Sequence, residues 1–206
     1  MESKLEKDGL KKSVVYIYDE QQMLEYLEER KLVINQEINE NLIQDAVLHV
    51  LKWNREDKGL PVEERKPIII YCNSPGGSVV DGYALIDTIQ LSQTPVYTVN
   101  LGMEYSMGFL IGISGHKRFS LPTATFLLHD GSSVMYNSMS KLADTANFYK
   151  DLEKRTKEFV LAHCTLTSKM YDKKYGSEWY MFAKEAKANG FVDFIIGEDC
   201  TLDDII

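Results

Sequence analysis

The stretch that most limits how this chain can fold is Ile68-Ile-Ile-Tyr-Cys72, which runs without a break into Asn73-Ser-Pro-Gly-Gly77. An apolar run with no polar alternation reads as a strand buried on both faces. The glycine pair after it gives a tight turn, and Val79, Gly82, Leu85, Ile86 and Ile89 then recur on one side of a helix. Pro95 stops that helix and Val96-Tyr-Thr-Val99 is the next strand. This is a β-α-β unit of crossover length, which demands a parallel or mixed sheet with helices on its faces.

The flanking sequence extends the pattern. Ser13 to Tyr18 and Lys31 to Asn35 read as short strands separated by a charged, helical stretch. From Asn39, a candidate cap, the apolar positions Leu42, Ile43, Ala46, Val50 and Trp53 follow helical steps, and Arg55 to Lys66 is a polar loop. Ser106 opens an almost wholly apolar stretch, Met107 to Ile113, too uniform for a surface helix. Phe119 to Leu121 and Thr125 to Leu128 are further strands. After His129 comes an extended stretch, then a long helix from about Ser140 to His163. Its apolar stripe, Leu142, Ala146, Tyr149, Leu152, Phe159 and Val160, stands on an otherwise charged surface and calls for a partner. Lys184 to Gly190 is a helix closed by a C′ glycine, and Phe191 to Ile196 is the last strand.

A chain of 206 residues with 44% hydrophobic character can bury one ordinary core without disulfides or a structural metal. Its formal charge of -8 argues against nucleic-acid backbones and anionic lipid as partners. Cys72, Cys164 and Cys200 are an odd set with no paired spacing, which fits reduced thiols. Met1 to Lys12 lacks the apolar core of an export signal, and no apolar run approaches the roughly 18 residues of a membrane span. A cytoplasmic protein with no membrane partner is expected.

Three segments hold the reactive residue types: Gly76-Gly77 after a buried strand, Ser106 at the start of a buried helix, and His129 after a strand. In a parallel sheet the carboxyl ends of strands gather ligands and reacting groups, so these segments can converge. A serine hydroxyl needs a base to become a nucleophile, and a neutral imidazole suits that task near pH 7. The tetrahedral oxyanion of acyl transfer needs fixed donors, and the amides of Gly77 and Met107 are suitably placed. A carboxylate is wanted to orient the imidazole, and no spacing rule identifies it. Taken singly, Ser106 reads equally as a helix cap, His129 as a hydrogen-bonded rim residue and the glycines as a turn; their joint order points to a hydrolase.

Four segments together resemble the ClpP family, the proteolytic subunit of the Clp protease: Asn73 to Ser78, Tyr105 to Gly108, Lys117 to Pro122 with Leu128-His129, and Glu185 to Asp193. The resemblance runs from about Lys31 to Ile196. It implies an α/β, ClpP/crotonase-like fold of stacked ββα units with a protruding strand-plus-helix handle. The head would comprise 31–130 and 164–206 and the handle 131–163, with Val134 to Tyr136 as its strand and 1–30 as an N-terminal segment in the place of the family's axial region. It further implies that Ser106 is the nucleophile, His129 the general base, and the Gly77 and Met107 amides the oxyanion hole. Counting back from Asp193 puts Glu178 in the place of the family's triad aspartate, with Asp172 as the nearest rival.

The implied function is a serine endopeptidase that cleaves unfolded polypeptides inside stacked heptameric rings, fed by a separate AAA+ unfoldase. The sequence contains no GxxxxGK[ST] phosphate loop, so ATP would be used by that partner; no metal and no cofactor are expected. Glu104 and Tyr105 stand where the family usually has small residues, so their bulk or charge is expected to crowd the nucleophile or disfavour an acyl oxyanion; Asp130-Gly131 replaces the usual Gln-Pro, and the loop Arg55 to Lys66 is longer. The Ser106 to His129 interval is about two residues shorter than usual. These departures, with Glu178, motivate an alternative: a catalytically weak ring subunit with an assembly or regulatory role in a mixed ring. A crotonase-type acyl-CoA enzyme would share the glycine turn but would not need the serine and downstream histidine.

Overall fold

The computed structural model of the chain describes residues 20–131 and 138–206. The expected strands Ser13 to Tyr18 and Val134 to Tyr136 lie outside them. One sheet carries the described fold, built from β1 (Lys31–Ile34), β2 (Ile68–Ser74), β3 (Val96–Tyr105), β4 (Lys117–Ser120), β5 (Thr125–Leu128), β6 (Trp179–Phe182) and β7 (Phe194–Ile195). The order is β1-β2-β3-β4-β7, with β5 branching from β3 and β6 beside β5. Every named pairing is parallel except β5 with β6. The helices are α1 (20–28), α2 (Leu48–Glu56), α3 (Val79–Leu91), α4 (Met107–Ile113), α5 (Met139–Ala162), α6 (Ser168–Tyr175) and α7 (Ala183–Ala188). The α/β fold with a mainly parallel sheet is as expected.

β3 is longer than the VYTV pattern suggested, because it changes partner midway. Tyr97 to Asn100 pair with β4, and Met103 to Tyr105 pair with β5. Buried Asn100 bridges the change: its amide donates to the Thr125 carbonyl (3.0 Å), and its side-chain oxygen accepts from the Gly102 amide (3.0 Å). A polar residue here meets backbone groups that the split ladder leaves unpaired. The split matters for function, because it puts the carboxyl ends of β3 and β5 side by side.

All seven residues of α4 are buried. The helix is sandwiched between the sheet and α3, where Gly82 lets the chain approach the Met107 side chain; a Cβ on Gly82 would lie 2.4 Å from Met107 Cγ. Fully burying side chains such as Phe109, Ile111 and Ile113 contributes about 1.5–3 kcal/mol each, which fixes the helix start firmly. The opposite sheet face carries a smaller cluster, Tyr71, Val99, Phe119, Ile196 and Ile205, with the Tyr71 hydroxyl donating to the Ile205 carbonyl at 2.6 Å.

Asn39 shapes the entry to the first long helical run through its side-chain oxygen, which accepts from the Asn41 amide. That run opens with a wide turn in which the Leu48 amide reaches back to the Ile43 carbonyl. α7 ends as expected at Gly190 (φ 79°), with the Gly190 amide on the Lys187 carbonyl and the Phe191 amide on the Ala186 carbonyl. The expected strand Phe191 to Ile196 is shorter, only Phe194–Ile195, since Asp193 turns aside to bind Arg118. Arg118 grips both Asp193 oxygens (Nε 3.0 Å, Nη2 2.6 Å) and donates from Nη1 to the carbonyls of His163 and Gly190, each at 2.8 Å. One guanidinium thus ties the ends of α5 and α7 to β4.

Candidate active site

Strand register brings the reactive residues together. β3 and β5 run parallel with Tyr105 opposite Leu127, and the Ser106 amide donates to the Leu127 carbonyl at 3.0 Å. Ser106 and His129 therefore leave the carboxyl ends of adjacent strands. β6 returns antiparallel with Trp179 opposite Leu128, so the next pair along the same ladder is Glu178 and His129. The Nδ1 of His129 lies 2.9 Å from Glu178 Oε1. A carboxylate there makes Nδ1 the protonated nitrogen and leaves Nε2 as an acceptor. Asp172 lies elsewhere, 2.6 Å from Lys157 Nζ on α5.

Ser106 is held at φ 53°, ψ −118°, a conformation that costs a non-glycine residue about 1–3 kcal/mol. It occupies the cap position of α4 but makes no capping hydrogen bond, so the ordinary structural role of such a serine is not the one it fills. Gly76 (φ 98°) backs directly onto it: a Cβ there would sit 2.7 Å from Ser106 Cβ and 2.7 Å from the Tyr105 carbonyl. Gly77 is equally constrained, since a Cβ would lie 2.3 Å from the Ile38 carbonyl. Ile38 pins the turn from the other side, its amide donating to Gly76 and its carbonyl accepting from Ser78, both at 2.8 Å. That pairing does not use the Gly77 amide. The Met107 amide belongs to the first turn of α4, where amides have no intrahelical partner.

Ser106 and His129 line one cavity of about 280 Å³, walled by Val79, Met107, Leu110 and Leu128 and, from α5, by Ala146, Tyr149 and Leu152. Part of the α5 stripe is thereby accounted for: three of its apolar residues face the site, while Phe159 and Val160 pack on the main core. Neither Glu104 nor Tyr105 narrows the cavity beside the nucleophile. Tyr105 turns to β5 and β6, with its hydroxyl 2.9 Å from Thr125 Oγ1 and its ring edge-on to Tyr180 at 5.7 Å. Glu104 is buried, and neither residue lines the cavity. Among the described residues no three His, Cys, Asp or Glu side chains gather into a group able to hold a metal ion.

Two shaping residues carry no signal in the sequence. Ile38 lies outside any regular strand, and Tyr175 ends α6, a short, mostly polar helix. The Tyr175 carbonyl accepts from the Asp130 amide at 3.0 Å, fixing the chain just after His129, and the residue also lines the cavity.

A family model described as Clp protease matches residues 15–199. The chain belongs to the Clp protease family. Clp protease relatives from Streptococcus uberis and Streptococcus mutans are each 30% identical over 174 residues, covering 82% of this chain and 86% of the relative. One from Streptococcus pyogenes is 29% identical over the same length. All three are named as the ATP-dependent Clp protease proteolytic subunit. Membership of the Clp protease family supports a protease role for this chain. In this chain the segments Asn73 to Ser78 and Tyr105 to Gly108 pack against each other around Ser106, while Lys117 to Pro122 and Glu185 to Asp193 meet in the Arg118–Asp193 clamp.

Proposed function

We propose that this chain is a serine endopeptidase subunit in which Ser106 is the nucleophile, His129 the general base and acid, and Glu178 the residue that orients the imidazole. The observation that carries the reading is the shared cavity of Ser106 and His129, with the far side of the imidazole held by Glu178 at 2.9 Å. Ser106 Oγ attacks the scissile carbonyl carbon as His129 Nε2 takes its proton. The amides of Gly77 and Met107 receive the oxyanion. The C–N bond breaks as His129 returns the proton to the leaving amine, and water activated by the same imidazole releases the acid product from Ser106. The apolar cavity receives the side chain next to the scissile carbonyl, so cleavage after apolar residues is favoured.

The substrate is unfolded polypeptide, delivered by an AAA+ unfoldase into a chamber of stacked heptameric rings in the cytoplasm. In support, the relatives are named ATP-dependent while this sequence has no phosphate loop of its own. The head would be 31–130 with 164–206, the handle 131–163, and 1–30 an axial segment. The exposed Phe148 and Tyr149 of α5, stacked edge-on at 5.6 Å, fit a helix that meets another copy. The test is digestion of an unstructured polypeptide by the purified oligomer: release of short peptides that is lost in Ser106→Ala supports the reading. An assembled ring that cleaves nothing, alone or with an ATP-driven unfoldase, assigns the chain an assembly role instead.

A further inference from the structure

Glu104 lies two residues before Ser106, yet its carboxyl is buried between β2 and α4, and the residue is only 3% exposed. It fills a notch that exists because position 112 is glycine: a Cβ on Gly112 would lie 2.0 Å from Glu104 Oε2. Its other oxygen, Oε1, has no hydrogen-bond partner among the described residues. In the sheet, Ser74 of β2 and Phe126 of β5 flank it in register, and α4 has no titratable side chain. The titratable group facing it is the fully buried thiol of Cys72; Tyr71 packs in the cluster on the opposite sheet face. No cation stands among these neighbours.

We propose that Glu104 is a positioning residue that works as the neutral acid, holding the junction of β3 and α4 in the shape that presents Ser106, and that its ionisation at alkaline pH releases that shape. The inference rests on the reading of Ser106 as nucleophile. A carboxylate in this notch would hold its charge with no countercharge and one oxygen unpaired, so relief comes by moving β3 or α4. Ser106 sits where they join, already in a strained conformation and pressed against Gly76, so a small displacement misaligns it. Burial pushes the Glu104 carboxyl well above the usual carboxylate range, against the opposing hydrogen bond with Cys72. A raised folded-state value means that the folded chain holds the proton more tightly than the unfolded one. Stability therefore falls as pH rises from the ordinary carboxylate value toward the folded one.

The test is the rate of Ser106 labelling by a fluorophosphonate, followed from neutral into alkaline pH, the direction in which a buried carboxyl ionises. The wild type is expected to lose labelling about tenfold per pH unit beyond the midpoint, while Glu104→Gln and Glu104→Met, neutral and of similar size, keep the plateau. A wild type that keeps its plateau, or neutral variants that share its fall, overturns the proposal. A second readout uses the wild type alone and needs no labelling: alkylation of Cys72, mapped by peptide mass against the half-buried Cys164. Cys72 becoming reactive relative to Cys164 over that interval supports the proposal even if neither variant folds, and Cys72 protected throughout overturns it. Absence of labelling at every pH is a failure of the Ser106 reading itself, distinguishable from an unchanged alkaline limb.

Discussion

His129 and Glu178 face each other one step past the Leu128–Trp179 pair of the antiparallel β5–β6 ladder, with Nδ1 and Oε1 2.9 Å apart. The contact is between residues 49 apart in sequence, and only the return of β6 beside β5 creates it. Glu178 is 58% exposed at its side chain, so solvent screens the pair and can partly replace the carboxylate. Glu178→Gln is accordingly expected to lower kcat by about ten- to a hundredfold with KM little changed, less than the loss of about 10⁴ seen when a fully buried triad carboxylate is neutralised. Asp172→Asn, which removes a partner of Lys157, should leave kcat unchanged. Steady-state hydrolysis of a fluorogenic peptide separates the two; the reverse ranking would exchange their roles.

The glycine turn makes a sterically sharper prediction. Gly76→Ala forces a methyl to within 2.7 Å of Ser106 Cβ and the Tyr105 carbonyl, at a φ of 98° that alanine resists. Turnover should fall at least a hundredfold or so, because displacements near 1 Å at a reacting centre cost about that much. Gly176→Ala, with no atom within 4 Å of the added carbon, is the matched control and should behave as wild type. Equal activity in both variants would mean that Ser106 is not held by the turn.

Acid stability depends on a different corner of the molecule. Asp57 takes a two-pronged bond from Arg30 (2.6 and 2.8 Å) and another from the Thr94 hydroxyl at 2.8 Å. Arg30 above all holds the carboxyl below its ordinary value, against the opposing effect of burial. A lowered folded-state value gives stability that is complete above the unfolded value, near about 3.9, and is lost as pH falls through the folded one. Asp57→Asn should cost about 1–3 kcal/mol at pH 7, and the gap to wild type should narrow in acid. Urea unfolding at neutral and acid pH measures this, and a gap independent of pH would contradict it.

The parts of the fold legible in the sequence are those where burial alone sets the pattern. Met107 to Ile113 is apolar because it is covered on all sides, and Ile68 to Cys72 because all but half-buried Ile69 are covered; both emerge as read. β6 was not legible: Trp179 and Met181 are buried while Tyr180 and Phe182 are exposed, so four apolar residues hide the alternation. The second half of β3 escaped for the opposite reason, its run broken by Asn100, Gly102 and Glu104. Ser106 and His129 were legible as residue types after strands, and topology supplied their convergence. Glu178 was reachable only through the family resemblance, because an antiparallel register leaves no local mark. The expectation that Glu104 and Tyr105 crowd the nucleophile missed that one fills a notch opposite Gly112 and the other leans on Tyr180.

Labelling of the native oligomer with a fluorophosphonate, followed by peptide mapping, tests the central claim most directly, because only a serine activated by a base and an oxyanion hole reacts readily. The account predicts one adduct, on Ser106, that disappears in Ser106→Ala while the oligomer stays intact. No adduct at neutral pH, or an adduct on any other serine, would contradict it.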